Sequence, residues 1–185
     1  LQKMEFKKIL FILLTVFLIY ITYSNCMVIY NSGTNISTYK AILFGTYFTI
    51  CLTGIFAFSG FAFPTYKLLP ENYYKISHPE LLKKIYAALG VLYFSKAVVA
   101  IFYNKKKIKE TYFNSDSQGI TAFTTQTKQD EFGHIVPFIL ITLFAIYLLI
   151  SKNYLLSISI IVSNIVFNLY PVFMQRHHRT YKPTS

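Results

Sequence analysis

Acidic side chains are scarce: seven Asp and Glu stand among 185 residues, against eighteen Lys and Arg, and charged residues make up 14% of the chain. None of the seven lies deep in an apolar stretch, where an ion-coupled transporter needs one. Cysteine is almost absent. Cys26 and Cys51 fall in different apolar stretches, so neither a disulfide framework nor a metal-ligand spacing follows, and they identify no redox compartment. A Gly-rich nucleotide loop, a zinc spacing, heptads and internal repeats are missing as well. His177 and His178 are neighbours, but adjacent residues on a helix point about 100° apart, which suits one shared metal ion poorly.

What is abundant is apolar. Hydrophobic residues make up 54% of the chain, aromatic residues 18%, and mean hydropathy is +0.44. That profile excludes an ordinary soluble domain and fits a polytopic membrane protein. A spanning helix needs about 20 apolar residues, and five stretches qualify: 9–29, 41–63, 85–103, 135–150 and 154–173. Lys7-Lys8 before the first imitates a signal peptide, yet the stretch is long and lacks a small-residue cleavage site, so a retained helix is expected. The formal charge of +11 is then an attribute of loops that meet anionic headgroups, with no nucleic-acid partner expected.

Loop charge also counts the spans. With five spans and an inside N-terminus, basic residues divide 8 to 9 across the membrane, which is no bias at all. If 85–103 enters and returns, 16 of the 18 lie inside and only Lys40 and Lys152 outside. That segment carries Gly90, Ser95 and Lys96, and a Lys near the centre of a lone span costs roughly 2.5–3.5 kcal/mol. The expected fold is all-α integral membrane, with four transmembrane helices plus one re-entrant or interfacial helix over about 79–103; the alternative is five transmembrane helices. It forms a single domain over 1–185 of a multi-pass cell-membrane protein, with a cytoplasmic loop at 104–133 and both termini cytoplasmic. Pro79 and Glu80 mark a helix start, and the run Lys105 to Lys109 an inner-leaflet anchor. Asn35-Ile36-Ser37 matches a glycosylation sequon of a kind common by chance.

Polar residues at the ends of the last two spans carry the chemistry. Glu131 and His134 are three apart, so on a helix they share a face, and the carboxylate could orient an imidazole acting as general base. Spacing alone favours the plainer reading, in which both solvate a helix start. Ser157, Asn164, Asn168 and Gln175, spaced seven, four and seven, form one helical stripe that serves either as interhelix glue or as a binding groove. Pro171 should loosen the helix before Gln175. Arg176 and Arg179 suit a phosphate or a developing oxyanion, or simple anchoring at the membrane surface. Only Ser151-Lys152-Asn153 joins the two spans. They must therefore run antiparallel, and the His134 imidazole is expected within about 8 Å of Asn168, Gln175 or Arg176.

The stretch Thr127-Lys128…Glu131…His134, an apolar span, and then Asn168…Gln175-Arg176…Arg179 resembles the glycosyl-4,4'-diaponeurosporenoate acyltransferase family. The similarity runs over about residues 80–181 and includes Tyr86, Leu89-Gly90-Val91, Phe94 and Lys96. Gln126, His177-His178 and Thr180-Tyr181 depart from that pattern. The resemblance implies a small integral-membrane enzyme that esterifies a sugar hydroxyl with a fatty acyl chain. It implies His134 and Glu131 as catalytic residues, with Asn168, Gln175, Arg176, Arg179 and Lys96 binding substrate. No bound cofactor is expected; acyl-CoA or a similar thioester would be co-substrate, and a glycosylated carotenoid or other glycolipid the acceptor. The competing expectation is a non-catalytic membrane partner or scaffold subunit of a lipid-processing complex.

Overall fold

The computed structural model describes residues 2–32, 36–102 and 117–181. These are 90% helical and contain no strand. In chain order they form α1 (Gln2–Ser32), α2 (Thr38–Ala62), α3 (Glu71–Tyr74), α4 (Pro79–Ala88), α5 (Val91–Phe102), α6 (Ser117–Ile150), α7 (Tyr154–Asn164) and α8 (Tyr170–Tyr181), with a 3-10 turn at Thr65–Leu68 and a π turn at Ile165–Leu169. Four helical stretches are long and apolar enough to cross a membrane: Glu5–Ile29, Thr38–Ala62, Gly119–Ile150 and Tyr154–Thr180. They are consistent with a membrane protein.

α4 and α5 are bent against each other by 74°. At 1.5 Å per residue, their 10 and 12 residues give roughly 15 and 18 Å, each well short of the ~30 Å hydrocarbon layer. The break sits at Gly90, whose φ is +72°. A side chain there would meet no neighbour, so the reason for glycine is the left-handed backbone itself. A broken span and a segment that enters and returns share this geometry.

The chain packs as two compact units. The first comprises Leu1–Thr65 and Phe132–Leu169. Its core is Ala41, Phe48, Ile141, Ala145, Leu148, Leu156 and Ile160. α1 presents Phe6, Leu13, Val16 and Tyr20 outward, as a lipid-facing helix does. Gly45 of α2 lets two backbones approach: a Cβ there would lie 3.1 Å from the Ile160 nitrogen and from Ser159 Cβ. Such close contact replaces the hydrophobic drive that helices lack in lipid. Between α6 and α7 the chain reverses through a Schellman ending. Lys152 takes φ 60°, while the Asn153 and Lys152 amides return to the Leu148 and Leu149 carbonyls at 2.8 and 3.0 Å.

The second unit comprises Tyr66–Glu131 and Tyr170–Ser185. Its core is Tyr86, Val91 and Met174, with Leu82, Phe94, Val98, Tyr170 and Phe173 packed against them. The Tyr170 hydroxyl donates to the Leu89 carbonyl at 3.0 Å, which ties the α4–α5 break to α8.

The described helices revise several expected boundaries. α6 begins at Ser117, so residues 117–133 of the expected loop 104–133 are helical. Local preference there is weak, and burial of Thr124 and Thr127 decides, helped by a bond along the helix from Gln126 to Asp130 at 2.7 Å. The rest of that loop, with Lys105 to Lys109, lies outside the described residues, as does part of the Asn35 sequon. The last span continues to Tyr181 rather than ending at 173. Within the stretch 1–185 expected as one membrane domain, two compact units each hold a core.

Candidate functional site

The expected residues fall into two polar groups, one in each unit. In the first unit the His134 Nδ1 lies 3.3 Å from Asn168 Oδ1, well inside the 8 Å expected. The Asn168 amide donates to Asn164 Oδ1 at 2.9 Å, and the Asn164 amide donates to the Phe138 carbonyl at 2.9 Å and to Thr142 Oγ1 at 3.1 Å. The Thr53 hydroxyl reaches Asn168 Oδ1 at 3.0 Å. Asn168 is 0% exposed and Asn164 2%. Lipid offers no partner at that depth, so each amide is satisfied by protein.

Ser157 extends the same arrangement by donating to the Ala145 carbonyl at 2.7 Å. From Ser157 to Asn168 the last span advances eleven residues, while its partners, Ala145 to His134, retreat eleven. That is the register of two antiparallel helices. Pro171 stands three residues beyond Asn168. Proline has no N–H to return to the carbonyl four residues earlier. That carbonyl belongs to Phe167, the residue before the Asn168 that bonds the imidazole. The π turn at Ile165–Leu169 is where the chain absorbs the lost bond, and such turns recur at functional sites.

The second group centres on Glu131, which is 0% exposed. Arg176 Nε donates to its Oε1 at 2.7 Å, and Arg179 Nη2 donates to Oε2. The carboxylate that was expected to orient the imidazole is therefore engaged with two guanidiniums, and Asn168 is the side chain bonded to His134. Spacing showed which residues Glu131 could reach. It did not show that two cations 45 and 48 residues onward would compete for it.

Arg176 also donates to the Tyr73 carbonyl at 3.3 Å and lies over the Tyr73 ring at 4.8 Å. Arg179, 4% exposed, lies over Tyr74 at 5.7 Å. Its Nε and Nη1 are buried without a hydrogen-bond partner among the described residues. Burial first, and then the Glu131 charge, push the Tyr73 phenol up to about 12. The same first cause raises Tyr74 as well. Both rings therefore stay neutral at ordinary pH and can face the arginines without adding charge.

Gln175 donates to Asp130 Oδ2 at 3.4 Å, a long contact that leaves its amide weakly held. Lys96 is exposed, with its ammonium 5.9 Å from the Tyr93 ring centroid of its own helix; it joins neither group. Asn164, Thr142 and Thr53 support His134, and Tyr73 and Tyr74 support the arginines, without standing among the residues expected from sequence. For Asn164 the signal was present in the polar stripe. For Tyr73-Tyr74 there was none. No group of three metal-ligating side chains occurs among the described residues.

No curated protein and no solved structure matches the chain. A family model described as glycosyl-4,4'-diaponeurosporenoate acyltransferase matches residues 70–180, which is more than half of the sequence. The matched range holds His134 with Asn164 and Asn168, and Glu131 with Arg176 and Arg179. On that match, the chain belongs to the glycosyl-4,4'-diaponeurosporenoate acyltransferase family.

Proposed function

We propose that this protein is a membrane O-acyltransferase that moves a fatty acyl group from a cytosolic thioester donor to a hydroxyl of a glycosylated carotenoid or other glycolipid. The observation that carries the reading is a hydrogen-bonded imidazole, His134 on Asn168, within the part of the chain that matches an acyltransferase family. Ionisable groups inside apolar helices are costly and are generally functional.

In this reading His134 takes the proton of the acceptor hydroxyl as its oxygen attacks the thioester carbonyl carbon. The tetrahedral intermediate collapses with cleavage of the C–S bond, and the imidazolium returns the proton to the departing thiolate. The products are ester and thiol. Asn168 orients the base. Arg176 and Arg179 bind donor phosphates, for which Arg179 has two nitrogens to spare; Glu131 holds the two guanidiniums in place, and Gln175 and Lys96 are further substrate contacts. Purified protein given labelled acyl-CoA and membrane lipid extract should yield a labelled ester. Absence of product at every donor chain length would overturn the reading.

A cytosolic donor requires an orientation, and the loop charge supplies one: N- and C-termini cytoplasmic. In a background without Cys26 and Cys51, an impermeant thiol reagent added from outside should modify Thr34→Cys and spare Asn114→Cys and Thr184→Cys. External modification of Asn114→Cys would restore five spans.

A further inference from the structure

The chain of amides behind His134 has a direction, and its far end sets it. The Phe138 carbonyl can only accept. The Thr142 hydroxyl donates to that same carbonyl at 2.7 Å, so its one proton is committed and its oxygen too can only accept from Asn164. Two acceptors thus face one side of the Asn164 amide, at 2.9 and 3.1 Å, and that side must be the NH2. Asn164 Oδ1 then faces Asn168 and requires the Asn168 NH2 at 2.9 Å. Asn168 is left presenting Oδ1 to the imidazole at 3.3 Å. The anchor at Phe138 sets this orientation whichever way each amide is first drawn, and the Thr53 hydroxyl then turns its one proton from the Thr49 carbonyl to Asn168 Oδ1 at 3.0 Å.

We propose that Asn164 is a positioning residue for the base: anchored on Phe138 and Thr142, it acts through Asn168 to hold the His134 proton on Nδ1. In the neutral ring Nε2 then carries the lone pair, and Nε2 is the atom that accepts the acceptor's proton. The assignment of a role in catalysis rests on the acyltransferase reading; the tautomer itself does not. Free histidine favours the opposite tautomer, so the relay has something to accomplish. Asn164 lies one helical turn from Asn168 and touches the ring only through it, which distinguishes it from a residue that contacts substrate.

The test is the tautomer. With 15N-histidine incorporated into the full chain in nanodiscs, and the His134 resonances assigned by loss in His134→Gln, the protein at pH 7 should show a protonated Nδ1 and a bare Nε2. Asn164→Ala should move His134 toward the Nε2-protonated form and lower kcat at least tenfold with KM changed less than threefold. Thr142→Val removes one of the two anchors and keeps the helix; it should shift the tautomer in the same direction by less. An Nε2-protonated or doubly protonated His134 in the unaltered protein would overturn the proposal, even in a preparation that transfers acyl groups. So would an Asn164→Ala protein with an unchanged tautomer. The expected tautomer in a protein that never yields ester would leave the relay standing and remove the acyltransferase reading.

Discussion

Glu131→Ala is expected to destabilise the protein by about 3–5 kcal/mol, the usual consequence of removing one partner from a buried ion pair. Glu131 is fully buried and is the carboxylate that both Arg176 and Arg179 contact. Without it, the buried Arg179 and the partly exposed Arg176 both lose their carboxylate. Glu131→Gln keeps an acceptor oxygen but loses the charge and should fall between the two. Replacing all three residues by apolar ones should recover most of the loss, because the penalty comes from unpaired charge and not from the missing contact as such. Thermal unfolding in one detergent measures each protein. Glu131→Ala melting with the parent would mean that the ion pairs carry no weight in the fold.

His134→Ala should lower acyl transfer by roughly 100- to 10,000-fold, the range a positioned general base contributes. Its effect on stability should be small, on the order of 1 kcal/mol, the net worth of one hydrogen bond. Asn168 Oδ1 keeps a partner in the Thr53 hydroxyl at 3.0 Å, so no buried amide is stranded. Initial rates and melting temperatures taken on the same preparations separate this outcome from the scaffold alternative, in which the substitution would change neither. Undiminished transfer would remove His134 from the chemistry.

The four long apolar helices were legible in the sequence because hydropathy over about 20 residues is a strong signal, and the oddity of 79–103 because Gly90 and Lys96 are out of place in a straight lone span; that it divides into two helices at Gly90 was not. The approach of His134 to Asn168 was legible too. A three-residue link forces antiparallel helices, and counting back from it puts the two at one depth. The start of α6 was not legible, since Ser, Thr and Gly there say little about helix and the decision comes from burial of Thr124 and Thr127. Nor was the π turn. A seven-four-seven polar spacing assumes 3.6 residues per turn throughout, and the sequence betrays the exception only through Pro171. The role expected of Glu131 missed its partners for a different reason. Periodicity predicts neighbours on one helix and is blind to cations arriving from another.

The hydroxyls of α2 bear on how the protein is made. Thr46 bonds Ser163 and Thr53 bonds Asn168, 117 and 115 residues away in the chain, so during synthesis α2 enters the bilayer long before those partners exist. The Thr49 and Thr53 hydroxyls also lie 2.8 Å from carbonyls of their own helix, Gly45 and Thr49, and the single proton of Thr53 serves one acceptor at a time. These local bonds occupy the Thr49 and Thr53 hydroxyls before the last span is made. The arrival of the last span then asks of Thr53 only an exchange of partners, from the Thr49 carbonyl to Asn168 Oδ1.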